Sequence, residues 1–225
     1  MNTADDWSDI RLPRNTIIQE GRLYSLNSSP GWRLRGQPVI KLGDSEYRSW
    51  SPFTSKLAAC IMLGTDLSGI GRARSILYLG ASYGTTVSHL ADVVPEATIY
   101  CIEVAREPFT ALQIVASYHR GIIPMLEDAA HPERYATVVS SPDLIIEDVA
   151  QKNMLEILVR NLTVFGSVKS FNLAVKARSI DSAAKPDDVY RKTMLKLHSS
   201  VKCETELTDL SAFEKDHAMI SGRLS

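Results

Sequence analysis

The chain has 225 residues, of which 44% are apolar and 23% charged, a balance that excludes disorder and predicts one main domain with a small extra module. Lys plus Arg number 25 against 26 for Asp plus Glu, a net charge of -1, so no overall basic field exists to hold a nucleic acid unaided. Cys60, Cys101 and Cys203 are odd in number and widely spaced, which argues against a disulfide framework or a zinc site and for small core residues in a reducing, intracellular setting.

Residues 1–13 carry Asp5, Asp6 and Asp9 where a secretion signal needs positive charge and then an apolar stretch, and no apolar run approaches the ~20 residues of a membrane span. The expectation is a cytoplasmic protein, neither secreted nor anchored. Short apolar runs follow, Ile17-Ile18, Leu23-Tyr24 and Val39-Ile40, separated by the turn formers Ser28-Ser29-Pro30-Gly31 and Gly43-Asp44. That texture predicts a small β-rich domain over residues 1–48.

From residue 49 to residue 225 strands alternate with helices. Strands are expected at 75–79, 98–102, 122–126, 144–146 and 171–175, and helices at 85–94, 107–120, 151–164 and 186–198. Residues 201–207 and 217–222 read as two more strands forming an antiparallel edge. The alternation predicts an α/β fold with a largely parallel sheet covered on both faces.

Ligands of such sheets bind outside the carboxyl ends of the strands, so the polar residues there are the candidates. After the first of these strands comes Gly80-Ala81-Ser82-Tyr83-Gly84, with Thr85 and Thr86 opening a helix. Glycines there permit close backbone approach, and free N–H groups with the threonine hydroxyls can hold a carboxylate or phosphate. Glu103 ends the next strand, placed to accept ribose hydroxyls. Asp128 closes the third strand, where it can bond an adenine amine or serve as a helix N-terminal acid. Asp148 follows the fourth strand and Lys176 ends the fifth, facing the same crevice. With no G-x-x-x-x-G-K-[ST] cradle, these residues favour a nucleoside with a small charged tail, such as S-adenosylmethionine, over a nucleoside triphosphate.

Several stretches match one family in order and spacing. They are Glu46-Tyr47-Arg48-Ser49-Trp50-Ser51-Pro52-Phe53-Thr54-Ser55-Lys56-Leu57-Ala58-Ala59, Leu77-Tyr78-Leu79-Gly80 with Gly84-Thr85-Thr86-Val87-Ser88-His89, and Ile122-Ile123-Pro124-Met125-Leu126-Glu127-Asp128-Ala129. Glu147-Asp148-Val149-Ala150-Gln151, Lys176-Ala177-Arg178-Ser179-Ile180-Asp181 and Glu214-Lys215-Asp216-His217-Ala218-Met219 complete the set. Over residues 39–219 the chain resembles fibrillarin in its short archaeal form, an RNA ribose 2′-O-methyltransferase.

The resemblance implies a Rossmann-like class I S-adenosylmethionine-dependent methyltransferase behind a small N-terminal β domain. It implies a catalytic tetrad of Lys56, Asp148, Lys176 and His217. Its cofactor contacts would be Gly80, Gly84, Thr85, Thr86, Glu103, Val104, Asp128, Ala129, Asp148, Val149, Ala150 and Gln151. Tyr83 stands where relatives carry a small residue, so its ring must point away or close over the ligand. Val104-Ala105-Arg106-Glu107-Pro108 departs from the usual aromatic followed by Ser-Pro-Arg.

The implied reaction is in-line attack of a ribose 2′-oxygen on a sulfonium methyl, with Asp148, beside Lys176, orienting the hydroxyl or accepting its proton, and with no metal. Lys56 and His217 fix that network. The implied partners are a Nop-domain scaffold protein, a kink-turn-binding protein and a C/D box guide RNA, which together deliver the ribose of the target RNA to a chain with no basic surplus of its own. Two alternatives stay open at this stage: a non-catalytic scaffold subunit, which need not bind the donor, and a protein (glutamine) methyltransferase.

Overall fold

The computed structural model describes residues 11–34, 36–67 and 69–225. Residues 1–10, with the three early aspartates and the start of the expected β-rich domain, lie outside the described residues.

Two sheets carry the fold. The first has four antiparallel strands in the order β1-β2-β4-β3: β1 Thr16–Gln19, β2 Arg22–Leu26, β3 Val39–Leu42 and β4 Ser45–Ser49. The turn expected at Gly43-Asp44 joins β3 to β4. β4 has no counterpart among the sequence expectations because Ser45-Glu46-Tyr47-Arg48-Ser49 lacks an apolar run. Its pairing with β2 and β3 makes it a strand.

Between the sheets, helix α1 covers Lys56–Met62 and is capped by Ser55, whose side chain accepts the Ala58 N–H. The chain then alternates through β5 Ser75–Leu79, α2 Thr85–Val93, β6 Thr98–Glu103, α3 Arg106–Tyr118 and β7 Ile122–Leu126. It continues with β8 Leu144–Glu147, α4 Met154–Val164, β9 Ser170–Lys176, the one-turn α5 Ala177–Ile180, α6 Pro186–Ser200, β10 Cys203–Asp209 and β11 His217–Leu224. The second sheet runs β10-β11-β9-β8-β5-β6-β7, parallel from β9 to β7 and antiparallel at the β9-β11-β10 edge.

Leu77, Leu79, Ile145 and Leu173 face one buried cluster, and Ile76, Tyr78, Ile146 and Ala174 the other. Burial on both faces is why these strands read as continuous apolar runs. Cys60 and Cys101 are fully buried core residues, as expected, and all three cysteines are free. Leu23 in β2 and Trp50 just after β4 belong to the same buried cluster as residues of α1, α2 and β5. The first sheet is therefore packed onto the second through shared core.

A buried polar network crosses that contact. Arg48 pairs with Asp92, both side chains being fully buried. The Ser25 hydroxyl donates to Asp92 Oδ2, and the Ser28 N–H and hydroxyl both donate to Oδ1. His89 stacks on Trp50 with ring centroids 5.0 Å apart, while its Nδ1 bonds Ser25 Oγ at 2.8 Å and its Nε2 bonds Gln37 Nε2 at 2.9 Å. Both polar residues are on α2, so the first sheet grips the helix whose other end opens the glycine loop. No described helix is long and apolar enough to cross a membrane.

Candidate active site

In the second sheet the chain moves outward from β5 in both directions, so strand order switches between β5 and β8. That switch opens a crevice at the carboxyl ends of the strands. Backbone bonds continue past the strands there: Asp148 N–H donates to Leu79 O at 2.9 Å, Gly80 N–H to Ile102 O at 2.9 Å and Glu127 N–H to Glu103 O at 3.1 Å. Residues from four separate segments are thereby lined up along one rim.

On one side of the rim stand the expected tetrad positions. Lys56 is the first residue of α1, and its Nζ lies 2.9 Å from Asp148 Oδ1 and 3.4 Å from Glu214 Oε2. Glu214 Oε2 in turn lies 3.6 Å from His217 Nε2. Lys176 is the Cα partner of His217 across β9 and β11. Its side chain is exposed, and among the described residues no ion pair or hydrogen bond ties its ammonium to the other three. The fold thus joins Lys56, Asp148 and His217 through contacts and adds Lys176 by register.

Loss of water raises the Asp148 carboxyl above its ordinary range, and the Lys56 ammonium only partly offsets this. Burial works against the charged Lys56, but Asp148 and Glu214 together outweigh it and hold its pKa above the usual lysine value. Lys56 therefore stays cationic beside a carboxylate whose proton affinity is enhanced, a suitable pairing for a proton acceptor.

On the other side lies the glycine loop. Gly80 has φ +82, a region that disfavours side chains. A Cβ added there would lie 2.7 Å from the Asp148 carbonyl oxygen and 3.1 Å from Val149 Cγ1. Gly84 stands at the N-cap of α2, where no side chain caps the helix and no acid occupies the first turn. The N–H groups around Thr85 and Thr86 are therefore left for an anion. Glu103 is almost fully buried at the end of β6, and its two oxygens accept the N–H groups of Ser82 and Ala105, each at 2.8 Å. Asp128 Oδ1 accepts the Ala130 N–H at 2.9 Å. Ala129 is buried, whereas Val104, Ala150 and Gln151 are exposed beside the rim.

The fibrillarin family model matches residues 14–225. The chain belongs to the fibrillarin family. It is 40% identical over 208 residues, 92% of this chain and 88% of the relative, to the fibrillarin-like rRNA/tRNA 2′-O-methyltransferase of Thermoplasma acidophilum. It resembles a chain of a crystal structure of a fibrillarin/Nop5p complex with a TM-score of 0.84 at 36% identity, covering 96% of this chain and 100% of that one. It also resembles Aeropyrum pernix fibrillarin with natively bound S-adenosyl-L-methionine, with a TM-score of 0.80 at 35% identity and coverage of 89% and 88%.

Three features of this fibrillarin site escaped the sequence reading. Glu214, the first residue of the Glu214-Lys215-Asp216-His217-Ala218-Met219 motif, bridges Lys56 and His217. Its sole advance signal was lying three residues before His217. Ser55 not only caps α1 but also accepts the Thr86 hydroxyl at 3.1 Å, so the helix carrying Lys56 and the helix closing the glycine loop are bonded at their starts. Glu147, next to Asp148, is completely buried with both carboxyl oxygens unpartnered, and burial, with the Asp148 charge adding to it, raises its pKa well above normal. Burial thus disfavours its charged form directly beneath the rim. The Tyr83 hydroxyl donates to Glu107 Oε1 at 3.0 Å, tying the loop to the first turn of α3.

Proposed function

We propose that this protein is the catalytic subunit of a C/D box ribonucleoprotein, methylating the ribose 2′-hydroxyl of rRNA, and of tRNA, at nucleotides chosen by a guide RNA. The observation that carries the reading is the ion-paired Lys56–Asp148–Glu214–His217 cluster, set across a backbone contact from an uncapped helix start and glycine loop. A proton acceptor and a cradle for a charged nucleoside share one rim. Family membership, the named activity of the Thermoplasma relative and the donor bound to the Aeropyrum relative support the same conclusion.

S-adenosylmethionine fits the residues present. The open start of α2, with the Thr85 and Thr86 hydroxyls, suits its carboxylate. Glu103 keeps acceptor lone pairs beyond its two backbone bonds and suits ribose hydroxyls, and Asp128 with Ala129 suits the adenine edge. Gly80, Gly84, Val104 and the run Asp148, Val149, Ala150 and Gln151 complete the contact set. When bound, this donor supplies a methyl carbon made electrophilic by its sulfonium.

The protein's own contribution is placement and proton handling. Asp148 accepts the proton of the ribose 2′-hydroxyl as its oxygen attacks, and Lys56 fixes the Asp148 carboxylate in place. Glu214 holds Lys56 and His217 together, and Lys176 extends a cation to the developing negative charge and nearby phosphate. Holding two reacting groups in line is worth ~7–11 kcal/mol of a barrier, so positioning by these residues is the larger part of the task. The described strands β1–β4 within residues 1–48 act as a β domain that anchors α2, and residues 49–225 act as the catalytic domain.

A chain without a basic surplus needs help to hold RNA. The Nop5p complex of a relative supports a Nop-domain scaffold protein as partner, with a kink-turn-binding protein and guide RNA completing a cytoplasmic particle. The test is transfer of tritiated methyl to a guide-paired RNA, with and without the scaffold. Label at one 2′-oxygen that requires the scaffold is the expected result. Label on a partner protein, or none at saturating donor, would overturn the reading.

A further inference from the structure

The glycine loop is tied to the sheet at its base. Gly80 and Ala81 N–H groups both donate to Ile102 O, at 2.9 and 3.1 Å, and Gly84 N–H turns back to Ala81 O at 3.0 Å. Ser82 and Tyr83 form the tip, where the backbone is costly to hold. Gly80, Ser82 and Gly84 alternate through left-handed φ values of +82, +49 and +78, and Ser82, unlike the glycines, carries a side chain that disfavours that region. Such a conformation persists where the surroundings over-determine it.

Two side chains of the β6–α3 segment do so. Glu103 Oε2 accepts the Ser82 N–H at 2.8 Å, and Glu107 Oε1 accepts the Tyr83 hydroxyl at 3.0 Å. Glu107 is well placed as an anchor, because it lies in the first turn of α3, where the helix dipole favours an acid. That helix is itself fixed against the loop: Leu112 and Val115 are fully buried, and a Cβ added to Gly84 would lie 3.0 Å from Leu112 Cδ1 and from Val115 Cγ2. One helix therefore backs Gly84 by packing and reaches Tyr83 by a hydrogen bond. The residue that opens α2 and the residue before it are both referred to α3.

We infer that the Tyr83–Glu107 hydrogen bond holds the glycine loop in the shape that receives S-adenosylmethionine, so that both are positioning residues of the methyl-donor site. The inference rests on the methyl-donor site described above and adds two residues outside its contact set. A loop already in its bound shape loses less freedom when the ligand arrives. The effect of the bond is therefore read in affinity for the methyl donor, not in the chemical step.

The experiment is calorimetric titration of the chain with S-adenosylmethionine and, separately, with S-adenosylhomocysteine. The proteins compared are the unaltered chain, Tyr83→Phe, Glu107→Ala, Glu107→Gln and the double variant Tyr83→Phe with Glu107→Ala. Tyr83→Phe keeps the ring and removes only the hydroxyl, and it is expected to raise the Kd for both ligands about fivefold, with little change in the melting temperature of the unliganded chain. Glu107→Ala should match it, the double variant should lose no more than either single one, and Glu107→Gln, which keeps an acceptor oxygen, should restore most of the affinity. In the complex reconstituted with scaffold and guide RNA, Tyr83→Phe should raise the KM for S-adenosylmethionine by the same factor and leave kcat within about twofold. An unchanged Kd for Tyr83→Phe, losses that add in the double variant, or a fall in kcat with Kd preserved would each overturn the inference. An unaltered chain that takes up neither ligand would instead remove the methyl-donor site beneath it, and that outcome is visible before any variant is compared.

Discussion

Gly80 and Asp148 touch through their backbones: a methyl group on the Gly80 Cα would lie 2.7 Å from the Asp148 carbonyl oxygen. The end of the strand that feeds the glycine loop is thus packed directly against the residue proposed to receive the ribose proton. A displacement of either moves both halves of the reaction.

Gly80→Ala tests this coupling. The substitution carries the ~1–2 kcal/mol strain of a side chain at left-handed φ and also pushes on backbone that cannot rotate away. Affinity for S-adenosylmethionine should fall about tenfold or more, and methyl transfer should fall further. Gly64→Ala is the control, since Gly64 has φ +77 but nothing within 4 Å of an added Cβ. It should lose comparable stability and keep its donor affinity in calorimetric titration.

The pH dependence of methyl transfer separates the roles of Lys56 and Glu214. A base works only when deprotonated, so activity falls as pH drops through the Asp148 pKa, already above the ordinary carboxylate range. Lys56 lowers that pKa and Glu214 raises it. Lys56→Met should therefore move the acid limb of kcat/KM to higher pH, and Glu214→Gln should move it to lower pH, with each rate reduced on the order of 10²-fold. Limbs shifting in the same direction would show that these residues do not act through Asp148.

Asp148→Ala and Lys176→Ala remove the proposed proton acceptor and the exposed lysine that pairs in register with His217. Both variants should fold with an unchanged circular dichroism spectrum and lose methyl transfer by about 10²–10⁴-fold. An unchanged rate in either would take that residue out of the chemistry.

Two buried groups should pull stability in opposite directions along the pH scale. Glu147 has its folded pKa raised, so its stabilising contribution is complete below about pH 4.3, the unfolded value, and is lost as pH rises toward the folded value. Glu147→Gln should consequently gain melting temperature relative to the parent as pH increases from about 4 to 8. His89 has its folded pKa lowered, first by burial and then by Arg48, so its contribution is present above about pH 6.5 and is lost as pH falls below that. His89→Gln should flatten the acid side of the melting curve.

The Arg48–Asp92 pair is fully buried, and removing one partner strands the other charge. Asp92→Ala should cost about 3–5 kcal/mol in urea unfolding, whereas replacing both partners with apolar residues should cost less. Equal losses would mean that the pair is solvated and that the first sheet does not depend on it.

Along the parallel strands, sequence was a good guide: Ser75–Leu79 and Ile122–Leu126 lie where their apolar runs put them. Strands buried on both faces carry their signal in every residue. β4 and α1 were less legible, because β4 is polar along its length and α1 spans only seven residues, too few for a helical period to emerge. The resemblance named Lys56, Asp148, Lys176 and His217 individually from local motifs.

What the sequence could determine alone was chemistry attached to local context: which residues end strands, which loop carries glycines, and which family shares those motifs. The tertiary structure decided what those residues touch. Glu214 reaching Lys56, Ser55 bonding Thr86, Glu147 buried without a partner and Gly80 resting on Asp148 all depend on segments distant along the chain. A spacing rule reports neighbours on one element, whereas charge pairing and burial depend on which elements the sheet order brings side by side.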